Sequence, residues 1–125
     1  MKEQIKQVKE FNKAFGIKDV SPMLRFEMIK EELKEYRDSF DLPLHSKHWK
    51  IDKVEQADAI GDMLYLVFGA VIDAGLEDKI EAIFDEIHRS NMSKLENGKP
   101  IYREDGKVQK SSTYFPPNIK DILDE

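Results

Sequence analysis

Two stretches of this chain each gather carboxylates on one side of a helical repeat, and any fold must accommodate their repulsion. The first stretch carries Glu31, Glu32 and Glu35; the second carries Glu55, Asp58 and Asp62. Positions three or four apart share a helical face, so each set projects as a group. The apolar residues beside them keep the same period. Phe26, Ile29, Leu33, Tyr36 and Phe40 form one stripe, and Ala57, Ile60, Leu64, Val67 and Val71 form another. Helix is the local structure this pattern dictates. Asp62 is followed directly by Met-Leu-Tyr-Leu-Val-Phe. That places it at the edge of an apolar run, where a carboxylate is rare unless paired or metal-bound.

The same signals organise the rest. Ile5, Val8, Phe11, Asn12 and Phe15 space a first helix from Met1 to about Phe15, stopped by Gly16. Ser21-Pro22 opens the second, with serine at the N-cap and proline in the first turn. Asp41 to Lys50, with Pro43, His45, His48 and Trp49, reads as a loop. A third helix is expected from about Asp52 to Ala74, ended by Gly75, and a fourth from about Glu77 to Ser93. Beyond Asn97-Gly98, Ile101-Tyr102-Arg103 and Lys107-Val108 flank an Asp-Gly turn and read as a short β-hairpin. Pro116-Pro117 and an acidic end read as an irregular tail. The expectation is an all-α, antiparallel four-helix bundle in a single domain over residues 1–125, with the bundle over about 1–96 and the basic hairpin and tail over 97–125.

A chain of 125 residues buries one core. The apolar run from Met63 to Ile72 is interrupted by Gly69 and is too short to cross a bilayer. The chain has no cysteine, which excludes disulfides and thiolate metal sites and is compatible with the cytoplasm, the expected location. A net charge of −5 argues against binding nucleic-acid polymers. Between Arg89 and Lys110, however, basic residues outnumber acidic ones, a local excess suited to a small anionic ligand.

Hard oxygen donors without thiolates point to Mg²⁺, with Mn²⁺ as the alternative. Magnesium accompanies phosphate chemistry, so hydrolysis of a nucleotide is the leading idea. Each part alone has a plainer explanation. A Glu-Glu-x-x-Glu on a charged helix is usually a solvated face, and Lys107 and Lys110 beside a turn are often solubilising lysines. His45, His48 and Trp49 fit a loop with a packed tryptophan better than a base pocket. Asp85 and His88 make one Asp-x-x-His pair; without a second His motif, a di-iron bundle is disfavoured.

The conjunction is more specific. Glu31-Glu32-Leu33-Lys34-Glu35, then Asp58-Ala59-Ile60-Gly61-Asp62-Met63-Leu64-Tyr65, resembles the all-α nucleoside triphosphate pyrophosphatases, which include MazG proteins, dimeric dUTPases and phosphoribosyl-ATP pyrophosphatases. His88-Arg89-Ser90-Asn91-Met92-Ser93-Lys94, Asp105-Gly106-Lys107-Val108-Gln109-Lys110 and Tyr114-Phe115-Pro116-Pro117 are similar to its short MazG-like members. The resemblance implies Mg²⁺-dependent hydrolysis of a nucleoside triphosphate to the monophosphate and pyrophosphate, by a homodimer or homotetramer. It implies Glu31, Glu32, Glu35, Asp58 and Asp62 as metal ligands, and Glu31, Glu32 and Glu35 as catalytic carboxylates. Arg89, Asn91, Lys94, Lys107, Lys110 and Tyr114 match positions expected to meet the substrate. The usual second motif is Glu-x-x-Asp, and here its glutamate position holds Ala59. Either Asp58 substitutes for it or the motif is Glu55-Gln56-Ala57-Asp58; Asp58, on the same face as Asp62, is favoured, with Glu55 as an outer member. A non-catalytic nucleotide-binding protein on the same scaffold is the opposing reading.

Overall fold

The computed structural model describes residues 1–125, and helices hold more than half of them. The elements are α1 (Lys2–Ala14), α2 (Pro22–Asp38), β1 (Phe40–Asp41), β2 (Lys50–Ile51), α3 (Lys53–Asp73), α4 (Ile80–Met92), β3 (Ile101–Tyr102), β4 (Val108–Gln109) and α5 (Ile119–Leu123). They form two compact units, Met1–Glu77 and Asp78–Glu125.

The starts of α2 and α3 follow their caps. Ser21 Oγ accepts from the Leu24 N–H at 3.1 Å, and Asp52 Oδ1 accepts from the Glu55 N–H at 3.1 Å. Gly75, at φ +68°, takes the left-handed conformation just past the end of α3. Helices α2 and α3 make the most extensive packing in this unit, and α1 lies on α3. The pairing of α2 with α3 is antiparallel, because early α2 meets late α3. The Arg25 guanidinium donates to both carboxylate oxygens of Asp73, Nε to Oδ2 at 2.6 Å and Nη2 to Oδ1 at 3.1 Å. At the other end, the Asp52 N–H donates to the Ser39 carbonyl at 2.8 Å. The segment expected as a plain loop is thus closed at its base, where Phe40 pairs with Ile51 and Asp41 with Lys50. Trp49 packs edge-on to Phe40 at 5.5 Å between ring centroids, which holds the two short strands together.

The second unit holds the hairpin as expected, with Ile101 opposite Gln109, Tyr102 opposite Val108, and Gly106 at φ +84° in the turn. Two expectations are corrected here. Helix α4 starts at Ile80 rather than Glu77, with Lys79 at its N-cap. The tail is not wholly irregular, since it ends in α5, capped by Asn118. Lys79 Nζ donates to the carbonyls of Ile122, Leu123 and Glu125, supplying the donors that the last turn of so short a helix needs. Ser90 Oγ donates to the Phe115 carbonyl at 2.8 Å, and Ser111 Oγ to the Ser93 carbonyl at 2.7 Å, tying the chain after the hairpin back to α4.

Gly69 is buried because the Arg25 guanidinium lies on it. A Cβ at position 69 would come within 2.7 Å of Arg25 Cζ. That group is the far end of a long side chain, but Asp73 pins it, with the two side chains only 11% and 20% exposed. Moving aside would therefore break a bidentate, largely desolvated pair. Gly69→Ala is expected to destabilise the fold by about 1–3 kcal/mol in urea unfolding, although alanine is the better helix former by ~1 kcal/mol. In an Arg25→Met background the same substitution should become neutral or stabilising. Equal costs in both backgrounds would show that the guanidinium does not require the glycine.

Candidate metal centre

The register of α2 against α3 sets Glu32 and Glu35, one turn apart, opposite Asp62. One carboxylate oxygen from each lies within 4.8 Å of the others. No lysine or arginine pairs with any of the three. Glu32 is half-buried, and its Oε2 is shut off from solvent with no hydrogen-bond partner in the chain. A buried carboxylate oxygen without a donor is costly, and a hard divalent cation is the group that would satisfy it. The residues present fit such an ion.

The protonation equilibria carry the same strain. Burial, then contact with the Glu35 side chain, then repulsion from Glu35, Asp62 and Asp58 push the Glu32 carboxyl up to about 7. Burial and repulsion from Asp58 and Glu35 raise Asp62 as well. Asp58 thus acts on the trio through its charge. Ala59 is completely buried, so no carboxylate enters the cluster from the position where the resemblance places a glutamate.

Asp58 also lines a neighbouring depression of about 420 Å³, together with Glu35, Asp38, Val54 and Glu55. Asp38 was not singled out in the sequence, although it lies one turn beyond Glu35 on the same face and was legible by spacing alone. Glu31 is exposed and borders a separate depression with Glu27, Lys30 and Lys34; it does not join the trio.

The expected substrate-binding residues all lie in the second unit. Arg89 is already engaged, donating to Glu86 at 2.7 and 3.1 Å and stacking over the Phe115 ring at 4.3 Å. Lys110 Nζ sits 4.7 Å from the Tyr114 ring centre. Asn91 and Lys107 are exposed, and Lys94 is half-buried.

Residues 1–91 match the family model described as phosphoribosyl-ATP pyrophosphohydrolase. The search of curated proteins gave no match. No helix is long and apolar enough to cross a membrane.

The raised carboxyl makes a signed prediction for the metal-free protein. Glu32 titrates at about 7 when folded, against 4.5 for the ordinary group, so the folded chain retains a proton that the unfolded chain has lost. The stabilisation is complete below the ordinary value and disappears as pH rises through about 7. In chelator, Tm should fall between about pH 5 and about pH 8, and Glu32→Gln should flatten that fall. Adding Mg²⁺ or Mn²⁺ should restore stability on the alkaline side. An identical pH profile for wild type and Glu32→Gln would refute the assignment.

Proposed function

The chain belongs to the phosphoribosyl-ATP pyrophosphohydrolase family, within the MazG-like all-α pyrophosphatases, and from that membership we propose that it hydrolyses a nucleoside or deoxynucleoside triphosphate to the monophosphate and pyrophosphate with Mg²⁺. The observation that carries the reading is the convergence of Glu32, Glu35 and Asp62 around the partnerless Oε2 of Glu32. These three would hold the cation, with Asp58 beside them. The bound ion supplies positive charge that polarises a phosphoryl oxygen and offsets the repulsion among the carboxylates.

Glu35 borders both the trio and the open depression, so we assign it the proton of the attacking water as the α–β phosphoanhydride opens and pyrophosphate leaves. Asn91, Lys94, Lys107, Lys110 and Tyr114 are assigned to the phosphates and sugar. Arg89, stacked over Phe115 and still largely exposed, is assigned to the same surface. A cytoplasmic site of action accords with a nucleotide substrate.

Assembly belongs to the same proposal. Phe26 and Leu33 on α2, and Ile60, Leu64 and Val67 on α3, recur at helical spacing and stay exposed. Two helices with uncovered apolar stripes need two more, and a second copy supplies them, completing a four-helix bundle as a homodimer or dimer of dimers.

Incubated with a panel of nucleoside triphosphates and Mg²⁺, the protein should release pyrophosphate and the matching monophosphate, not orthophosphate. Asp62→Asn should lower kcat by about 10²–10³-fold while Tm is maintained. Residual turnover near wild type would remove Asp62 from the site, and release of orthophosphate alone would overturn the reaction class.

Light scattering should give a mass of two or four chains. Leu33→Glu with Leu64→Arg should lower it to one; a wild-type monomer would end the bundle assignment.

A further inference from the structure

The chain after α4 lies beyond the family match and runs out and back as an arm, residues 97–111, that carries Lys107 and Lys110. Two reversals shape it. Asn97 and Gly98, at φ +51° and +76°, make a tight turn that sets Glu96 opposite Lys99, with N–H to carbonyl bonds of 2.7 and 2.9 Å. The β3–β4 hairpin turns back again at Gly106. Tyr102 and Val108 on its strands stay exposed, and a two-stranded hairpin without apolar cover is marginal by itself.

One side chain closes the base of this arm. Glu96 Oε2 accepts from the Ser112 N–H and Glu96 Oε1 from the Ser112 hydroxyl, both at 2.7 Å. The residue before the arm thus grips the residue after it, through bonds that the carboxylate charge strengthens. The Ser112 hydroxyl first, and its N–H second, hold the Glu96 carboxyl below its ordinary value, so it stays ionised and the clasp stays closed. Lysines lie on both sides of Glu96 in the chain, yet none pairs with it, and no carboxylate pairs with Lys94, Lys107 or Lys110. The one carboxylate best placed in sequence to neutralise them is turned onto Ser112 instead.

Resting on the nucleotide reading above, we propose that Glu96 is a positioning residue for the substrate: by clasping Ser112 it sets the arm before binding, so that Lys107, Lys110 and Tyr114 meet the phosphates and sugar as a fixed group. An unclasped arm would have to be ordered at the moment of binding, and that ordering would weaken the complex. The effect falls on affinity, since the arm is assigned to phosphates and sugar and not to the attacking water.

The test reads binding apart from hydrolysis. Wild type, Glu96→Ala, Glu96→Gln and Ser112→Ala are titrated calorimetrically, with Mg²⁺, against nucleoside triphosphates carrying methylene in place of the α–β bridging oxygen. Circular dichroism checks that the helices are retained. Glu96→Ala should weaken the best analogue about tenfold. Glu96→Gln, with one acceptor left, and Ser112→Ala, with the backbone bond left, should lose less. Lys107→Ala should cost about tenfold in wild type but only about twofold in the Glu96→Ala background, a coupling that a general loss of stability would not produce. In turnover of the parent triphosphate, Glu96→Ala should raise KM about tenfold and change kcat by about twofold at most. Wild-type affinity in Glu96→Ala, an equal cost of Lys107→Ala in both backgrounds, or no binding of any analogue by wild type would overturn the proposal. Binding by wild type without release of pyrophosphate from the parent triphosphates would overturn the proposed reaction and leave the clasp standing.

Discussion

The register between α2 and α3 is the constraint on which the functional geometry depends, and Arg25 sets it. Its guanidinium bridges to Asp73 over a helical surface kept bare by Gly69. Sliding α3 by one turn would separate that pair and carry Asp62 away from Glu32 and Glu35. A buried ion pair contributes little net stability compared with an apolar contact of the same volume, but a misaligned one is strongly disfavoured. Its value here is in selecting one alignment. The short β1–β2 pairing, with the Asp52 N–H on the Ser39 carbonyl, holds the opposite end of the same helix pair.

With the register set, the carboxylates meet whether or not a cation neutralises them. Glu32 answers by retaining its proton to about 7, and Asp62 shifts in the same direction. The metal-free fold is therefore strained at its centre, and that strain is borne by packing that is itself sparse. Only Ile5, Val8, Ala59, Val71 and Ile83 are buried apolar residues, while Phe26, Leu33 and Leu64 remain more than half exposed. A like-charged cluster on so thin a core is consistent with a fold completed by a bound ion and a second chain.

The sequence made the helices and the acidic face legible because both are periodic. Glu32, Glu35 and Asp62 follow from spacing, as do the caps at Ser21 and Asp52 and the turn at Gly106. What it concealed depends on contacts between distant residues. Arg25 reads as one more charge on a charged helix, and Gly69 as an interruption in an apolar run; the connection between them exists only once α2 lies on α3. Helix α5 was hidden because so short a helix is decided by Lys79, more than forty positions earlier, rather than by its own propensity. Arg89 illustrates the converse. Its motif suggested a contact with substrate, and what spacing could not show is that the folded chain pairs it with Glu86 and stacks it on Phe115.

Placing the carboxylates on two packed helices has a mechanical consequence. Any change in the α2–α3 register moves Glu32 and Glu35 together against Asp62, so the spacing of the trio follows that one interface. Helix α1 escapes the coupling, because it contributes nothing to the trio and packs on α3. Substitutions on the outer face of α1 can therefore leave the spacing of the carboxylates intact, whereas a slip of α2 on α3 cannot.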